Sequence, residues 1–151
     1  MIYIASDHRG FDLKQKILKD HPDYLDLGPR KLDPEDDYND YAASLAVNVR
    51  DASNVTQTAD PPNFGIIICG SAHGVAIQAN RFKGIRAIVG LSPELAKVGR
   101  EHNNANILCL AADFTPEAEV PKIIDAFLNT RTNTSEKYAR RNVKLDRYGE
   151  G

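Results

Sequence analysis

The residues best placed to do chemistry follow the apolar run FGIIIC (64–69), which ends on Cys69. The next five residues are Gly70, Ser71, Ala72, His73 and Gly74. A turn from a strand into a helix presents backbone N–H groups that suit a phosphate or a developing oxyanion. The same helix N-terminus should lower the pKa of the Cys69 thiol toward neutrality. A thiolate there can remove a proton while the N–H groups hold the resulting negative oxygen.

Other motifs fit this segment less well. A phosphate-binding P-loop places lysine after its second glycine, and Ser71 stands there. A cysteine phosphatase would want an arginine at the position of Val75, and SDHRGF after the first apolar run is no dinucleotide fingerprint. A cysteine hydrolase is disfavoured, because His73 is the one histidine close to Cys69 in sequence. That Cys69 is simply a small buried apolar residue stays open.

Polar residues also occur at the ends of other predicted elements. Asp7 and His8 follow the first apolar run, and His102 and Asn103 lie between a helical pattern and the last apolar run. We expect these residues at the same edge of a parallel sheet as Cys69, where ligands bind in such folds. Histidine suits acid–base chemistry there because it titrates near neutral pH.

The elements that must position these residues alternate along the chain. Strands are predicted at 2–6, 24–28, 64–69, 86–90 and 106–110, with the nearly unbroken hydrophobicity of a parallel sheet. Helices are predicted at 38–49, from Ser92-Pro93 to about Glu101 and over 120–128, and a last helix from the capping-box pair Asn133 and Glu136. The pattern predicts one α/β domain over 1–151, Rossmann-like and three-layered, with a five-stranded parallel sheet and a C-terminal helix. Residues 51–63 should form a surface loop.

Composition excludes several classes. The chain has 151 residues and a formal net charge of -2, which gives no footprint for nucleic acid. A basic group near the C-terminus suits one small anion; it comprises Lys137, Arg140, Arg141, Lys144 and Arg147. The two cysteines, Cys69 and Cys109, argue against a disulfide framework. No segment reads as a membrane span or signal peptide, so a cytoplasmic location is expected.

Taken together, the motifs resemble the ribose-5-phosphate isomerase type B and galactose-6-phosphate isomerase family over nearly the whole chain. The resemblance is carried by IASDHRGFDLK (4–14), DLG (26–28), DYNDYA (37–42), GIIICGSAHGVAIQANRFKGIRA (65–87), REHNNANIL (100–108) and, more loosely, EKYARRNVKL (136–145). It implies isomerisation of a phosphorylated aldose and ketose through a cis-enediolate, without a metal or cofactor. It also implies a homodimer or dimer of dimers with sites at the subunit interface.

The resemblance assigns roles to particular residues. Cys69 is the base that moves a proton between C1 and C2, while the amides of 70–74 hold the enediolate and Ser71 assists at oxygen. His102 acts in ring opening and Asn103 in binding. Asp7 holds sugar hydroxyls, and the phosphate meets His8, Lys137 and Arg141.

Several positions depart from the family pattern. Ala72 replaces a glycine where positive φ is costly, and His73 replaces an aliphatic residue, so it either contacts substrate or faces solvent or a subunit interface. Asp113 stands where many members carry arginine, with Arg140 a candidate replacement, and Lys137 and Tyr138 replace a customary arginine and histidine. We therefore hypothesise that the reaction class is retained while the sugar, or its phosphate position, differs. Alternatives are an isomerase of tetrose or hexose phosphates and a non-catalytic sugar-phosphate sensor.

Overall fold

The computed structural model describes residues 1–50 and 59–148, and within them five strands form one parallel sheet. The strands are β1 Ile2–Ser6, β2 Leu25–Asp26, β3 Phe64–Cys69, β4 Ala87–Val89 and β5 Ile107–Ala111. The helices are α1 Phe11–Asp20, α2 Tyr38–Val49, α3 His73–Ala79, α4 Pro93–Asn103, α5 Val120–Asn129 and α6 Glu136–Arg147. The strand order is β2-β1-β3-β5-β4. The predicted fold class, including the five parallel strands and the C-terminal helix, is confirmed.

Alternation along the central strands creates the three layers. Ile67 and Cys69 of β3 pack against α2 and α3 on one face of the sheet. Ile66 and Ile68 pack against α1, α4 and α5 on the opposite face. Successive side chains of a strand point to opposite faces, so a strand covered on both faces must be apolar at every position. This is why FGIIIC has no polar residue before its end. The thiol of Cys69 consequently faces the layer of α2 and α3.

Some boundaries differ from the predicted ones. The helix α4 begins after the Ser92 cap as expected, with the Ser92 Oγ accepting from the Leu95 N–H at 3.2 Å. The last helix was predicted to begin with an Asn133 capping box, which is wrong: Asn133 Oδ1 accepts from the Ser135 N–H, and Ser135 occupies the N-cap position without a capping hydrogen bond from its side chain. The sequence patterns do not predict α1. Most of the predicted loop 51–63 lies outside the described residues.

The strand order places a crevice between β1 and β3. From β1 the chain crosses to β2 on one side, and from β3 it crosses to β5 and β4 on the other. Ligands bind at such switch points, beyond the carboxyl ends of the strands. Asp7 directly follows β1, and Cys69 is the last residue of β3. The fold thus brings two of the predicted site residues to the position where parallel sheets bind small molecules.

Two fully buried cations, both in the layer of α1, α4 and α5, fix loops next to the sheet. Lys14 of α1 is fully buried, and its Nζ donates to Asp26 Oδ1 and to the Pro29 carbonyl, both at 2.7 Å. Arg100 of α4 is also fully buried and donates to Asp60 Oδ1 at 2.8 Å and to the Ala105 carbonyl at 2.6 Å. Burial lowers the pKa of Arg100 to about 10, so it remains charged at neutral pH. A buried charge needs such partners, so each cation anchors the loop that supplies them.

Gly10 lets the chain after β1 approach β3 closely. It is buried at the N-terminus of α1, and a Cβ at this position would lie 2.6 Å from the carbonyl carbon of Ile68. No side chain other than hydrogen fits that space. The close approach keeps the turn His8–Gly10 against the end of β3.

None of the helices within residues 1–50 and 59–148 has both the length and the hydropathy needed to span a membrane.

Candidate active site

Asp7 joins the ends of β1 and β3. Its Oδ1 accepts hydrogen bonds from the backbone N–H groups of Arg9 at 2.9 Å and Gly10 at 3.0 Å, which caps the turn His8–Gly10. Its Oδ2 accepts a hydrogen bond from the Cys69 thiol at 3.0 Å. The residue is 3% exposed. One buried carboxylate therefore holds both the backbone after β1 and the sulfur at the end of β3.

This environment overturns the predicted acidity of the thiol. Burial, together with the hydrogen bond and negative charge of Asp7, raises the pKa of Cys69 to about 11. Backbone N–H groups of Gly70 and Ala72 favour the thiolate, as the sequence predicted, but their effect is smaller. Desolvation and a like charge both disfavour the anion. In the protein without substrate, Cys69 is a thiol that donates to Asp7.

The turn after Cys69 has the strained backbone that the sequence predicted. Ala72, the residue before α3, has φ 66° and ψ -3°, a left-handed conformation that costs a residue with a Cβ about 1 kcal/mol. The turn is tied to the segment after β5, because the N–H groups of Ala112 and Asp113 donate to the carbonyls of Cys69 and Gly70 at 2.8 and 3.1 Å. The N–H groups of Gly70 and Ala72 face the Cys69 sulfur.

Ser71 and His73 line a cavity of about 310 Å³ above the sheet edge. The remaining wall is apolar and consists of Val89, Leu91, Ala111 and Phe114. The His73 side chain is exposed at the rim, and its backbone N–H lies 3.4 Å from Ser71 Oγ. Both residues therefore line the same cavity, whose other walls come from β4, β5 and the segments that follow them rather than from Asp7 or Cys69. The cavity is large enough for a small phosphorylated sugar.

His8 is held by a carboxylate that sequence reasoning did not single out. Its Nδ1 lies 2.6 Å from Asp36 Oδ1, and its backbone N–H donates to the same oxygen at 3.2 Å. The Asp36 side chain is only 5% exposed. The hydrogen bond to Asp36 raises the pKa of His8, helped by the charges of Asp36 and Asp7 and opposed by desolvation and Arg9. Asp36 directly precedes the DYNDYA motif, but only the folded loop shows that it reaches His8.

The other predicted residues form a second cluster on α4 and α6. The ring of His102 stacks on that of Tyr138 with centroids 4.8 Å apart, and Asn142 Nδ2 donates to the His102 carbonyl at 3.2 Å. Asn103, Lys137 and Arg141 are exposed beside them. Arg140, suggested as a replacement cation, pairs with Glu136 at 3.8 Å on the same helix.

The expectation that His102 and Asn103 share a sheet edge with Cys69 is wrong within one chain. The helix α4 begins beyond the carboxyl end of β4 and runs back, so His102 lies near the amino end of β5. Cys69 pairs with Ala111, four residues beyond the first residue of β5. At about 3.3 Å per residue, about 13 Å of sheet separates the two edges. The structure therefore places Asp7, His8 and Cys69 together, but not His102, Asn103, Lys137 or Arg141 with them.

The fold and the carboxyl-edge site define an α/β protein that can bind a small molecule at a sheet switch point, with acid–base groups and N–H donors at hand. Comparison with known proteins makes this class specific. The model of the Ribose/Galactose Isomerase family matches residues 2–145, and the chain belongs to that family.

Relatives and solved structures agree. The "Probable ribose-5-phosphate isomerase B" of Mycoplasma pneumoniae is 42% identical over 86% of this chain and 83% of its own. The crystal structure of ribose-5-phosphate isomerase B from Mycoplasma genitalium with bound ribulose-5-phosphate is 39% identical, with a TM-score of 0.86 over 97% of this chain and 94% of that one. The type B ribose 5-phosphate isomerase of Trypanosoma brucei is 30% identical, with a TM-score of 0.86 over 97% of this chain and 96% of that one. The predicted family and enzyme class, an aldose–ketose isomerase, are confirmed.

The contact between Asp7 and Cys69 predicts the acidity of the thiol. We expect the rate at which iodoacetamide alkylates Cys69, followed by peptide mass spectrometry, to rise with pH. The midpoint of this rise should reflect a pKa of about 11. Asp7→Asn removes a negative charge, so the pKa should fall, yet burial should keep it above that of a free cysteine. Asp12→Asn, on the exposed first turn of α1, is the matched control and should leave the profile unchanged. A wild-type profile with a midpoint near neutral pH would show that burial and Asp7 do not control the thiol.

The contact between Asp36 and His8 predicts a second titration. Asp36→Asn removes the charge that favours imidazolium, so the pKa of His8 should fall, as measured by NMR of the ring protons. Asp33→Asn is the matched control, since Asp33 lies in the same loop and its side chain accepts from the Glu35 N–H at 3.0 Å. Equal His8 titration in the two variants would show that Asp36 does not act on the ring.

Proposed function

We propose that this protein interconverts ribose 5-phosphate and ribulose 5-phosphate through a cis-enediolate, in sites that a second copy of the chain completes. The observation that carries the proposal is the Cys69 thiol, 3.0 Å from Asp7 at a sheet switch point and followed by a turn of N–H donors. The relative with bound ribulose-5-phosphate supports this sugar. It favours ribose 5-phosphate over the different sugar that Asp113 and Lys137 suggested.

The proton chemistry follows from the groups at the carboxyl edge. Removing a carbon proton beside a carbonyl needs a base and a preorganised oxyanion site. Cys69 is the base, and the N–H groups of 70–74 hold the enediolate oxygens, with Ser71 moving the proton at oxygen. A thiol with a pKa of about 11 is ionised in about one molecule in 10⁴ at pH 7, so substrate must change its surroundings. A sugar hydroxyl that donates to Asp7 Oδ2 displaces the thiol and disperses the carboxylate charge, which lowers the thiol pKa.

Ring opening and phosphate binding require the second cluster. His102 is the acid–base group that opens the sugar ring, Asn103 binds beside it, and Lys137 and Arg141 bind phosphate together with His8. Lys137 and Arg141 are four residues apart on α6, so they lie on one face of the helix. Since about 13 Å of sheet separates this cluster from Cys69 in one chain, the cluster must come from another copy. A two-fold dimer supplies it twice and forms two identical sites.

Proton exchange tests the reaction. In heavy water, proton NMR should show solvent deuterium entering C2 of ribose 5-phosphate with the wild-type protein. Cys69→Ala should reduce this exchange by about 10²- to 10⁴-fold, because the base is lost. Cys109→Ala is the matched control: it removes the chain's other thiol, which is buried in β5, and should retain exchange. Saturable binding of ribose 5-phosphate without exchange would instead support the sensor alternative.

Subunit mixing tests the shared site. Cys69→Ala and His102→Ala subunits with different tags are co-expressed, and mixed dimers are selected by both tags. In a shared site, one of the two sites in each mixed dimer has every wild-type residue, so activity should recover to about half that of wild type. Dimers of either variant alone should stay nearly inactive. Mixed dimers as inactive as their parents would show that Cys69 and His102 act within one chain.

A further inference from the structure

Arg9 lies at the candidate active site, and neither its residue type nor the family resemblance singled it out. It follows His8 in the turn that Asp7 caps, and its Nη2 donates to Asp113 Oδ2. Asp113 lies just beyond β5, and its backbone N–H donates to the Gly70 carbonyl at 3.1 Å. The ion pair thus connects residues that are 104 positions apart, from the ends of two strands on either side of β3.

The pair lies directly over the turn that follows Cys69. A Cβ at Gly70 would be 2.7 Å from Arg9 Nε and 2.8 Å from Asp113 Oδ2. Gly70 therefore leaves room for the guanidinium to rest against the turn. The Arg9 side chain is 59% exposed, and among the described residues Asp113 is the one carboxylate paired with it. A guanidinium has five N–H donors in a planar fork, so donors remain free on the side that faces solvent.

We propose that Arg9 is a substrate-binding residue whose guanidinium binds the phosphate of the sugar phosphate, and that Asp113 is a positioning residue that holds it over the turn. This inference rests on the proposed function, because it names a further group in the same site. Arg9 and His8 are consecutive and both lie at the carboxyl edge, so one anion can meet both. Arginine suits the task because its fork binds two phosphate oxygens at once.

The pairing also explains the acidic residue at position 113. The sequence showed a carboxylate where a cation was expected, which by itself would repel a phosphate dianion. In the structure the carboxylate is neutralised by Arg9, which brings a guanidinium to the same place from β1. The guanidinium comes from the end of β1, on the other side of β3 from β5, so a cationic donor for phosphate is still present beside the turn.

The nearby ion pair between Lys16 and Glu117 is an ordinary surface contact with which the Arg9–Asp113 pair can be compared. Lys16 Nζ lies 2.9 Å from Glu117 Oε2, and their side chains are 59% and 67% exposed. It also joins α1 to the segment after β5, but the atoms nearest to a Cβ at Gly70 belong to Arg9 and Asp113. Exposed pairs of this kind contribute little to stability. The Lys16–Glu117 pair is therefore a matched control for Arg9–Asp113.

The test compares steady-state kinetics of Arg9→Ala and Lys16→Ala with ribose 5-phosphate. Arg9→Ala should raise KM by about 10- to 100-fold, with a much smaller change in kcat, because phosphate binding is lost in ground and transition states alike. Arg9→Lys should fall between, since an ammonium binds without the fork. Lys16→Ala should change KM less than about twofold. Equal KM values for Arg9→Ala and Lys16→Ala would overturn the inference.

Asp113 is tested by rescue. Asp113→Asn frees the guanidinium and should raise KM a few-fold, less than Arg9→Ala does. The Asp113 side chain already reaches the Arg9 guanidinium, so a longer arginine at position 113 can place its own guanidinium in the same region. The double variant Arg9→Ala with Asp113→Arg should therefore recover most of the lost affinity. A double variant no better than Arg9→Ala alone would show that this position does not reach the phosphate.

Calorimetric binding of inorganic phosphate separates this inference from the proposed function. Weakened binding in Arg9→Ala but not in Lys16→Ala supports the role of Arg9 even in a protein that isomerises no sugar, which would overturn only the proposed function. An active wild type whose KM and phosphate affinity are both unchanged by Arg9→Ala overturns only the role of Arg9. A wild type that neither isomerises ribose 5-phosphate nor binds phosphate overturns both.

Discussion

The carboxylate of Asp7 is the contact on which the rest of the site depends. β1 and β3 are neighbours in parallel register, with Ser6 opposite Ile68, so the next residue of each strand meets the other at the sheet edge. One Asp7 oxygen caps the turn that carries His8 and Arg9, and the other accepts a hydrogen bond from the Cys69 thiol. One buried group therefore fixes both the backbone turn that carries His8 and Arg9 and the thiol of Cys69, while Asp36 and Asp113 orient the two side chains.

This shared carboxylate also makes the reactivity of Cys69 depend on what occupies the crevice. A buried thiol next to a negative charge stays protonated, which suits a protein at rest but not a base. The amide donors of Gly70 and Ala72 already favour the anion, and Asp7 opposes them. Any ligand hydroxyl that takes over Asp7 Oδ2 shifts this balance toward the thiolate. Under the proposed mechanism, the substrate thus creates its own base, and the strained Ala72 backbone keeps the amides aimed at the site.

The sequence predicted what depends on local pattern and missed what depends on distant contacts. The five strands could be placed because central parallel strands must be apolar at every position, and Cys69 stood out because it ends one. The direction of the thiol pKa shift could not be predicted, because burial of the sulfur, together with its contact with Asp7 62 residues away, outweighs the local amides. The pairing of Arg9 with Asp113 was hidden by a separation of 104 residues. The sheet edge at which His102 lies could have been predicted, because a helix after β4 must carry the chain back before β5 can run parallel to β4.

The return of the chain through α4 determines how Cys69 and His102 can contribute to one site. Parallel strands joined by helices put every strand-to-helix turn at one edge and every helix-to-strand turn at the other. Cys69 belongs to the first edge and His102 to the second, so no rearrangement of loops within one chain brings them together. The second cluster presents exposed Lys137, Arg141 and Asn103 around His102, a cationic surface that under the proposed function complements a phosphate held at the first edge. The proposed two-fold pairing, which opposes unlike edges, would use both surfaces at once, because each chain of an isologous contact contributes the same surface that it contacts.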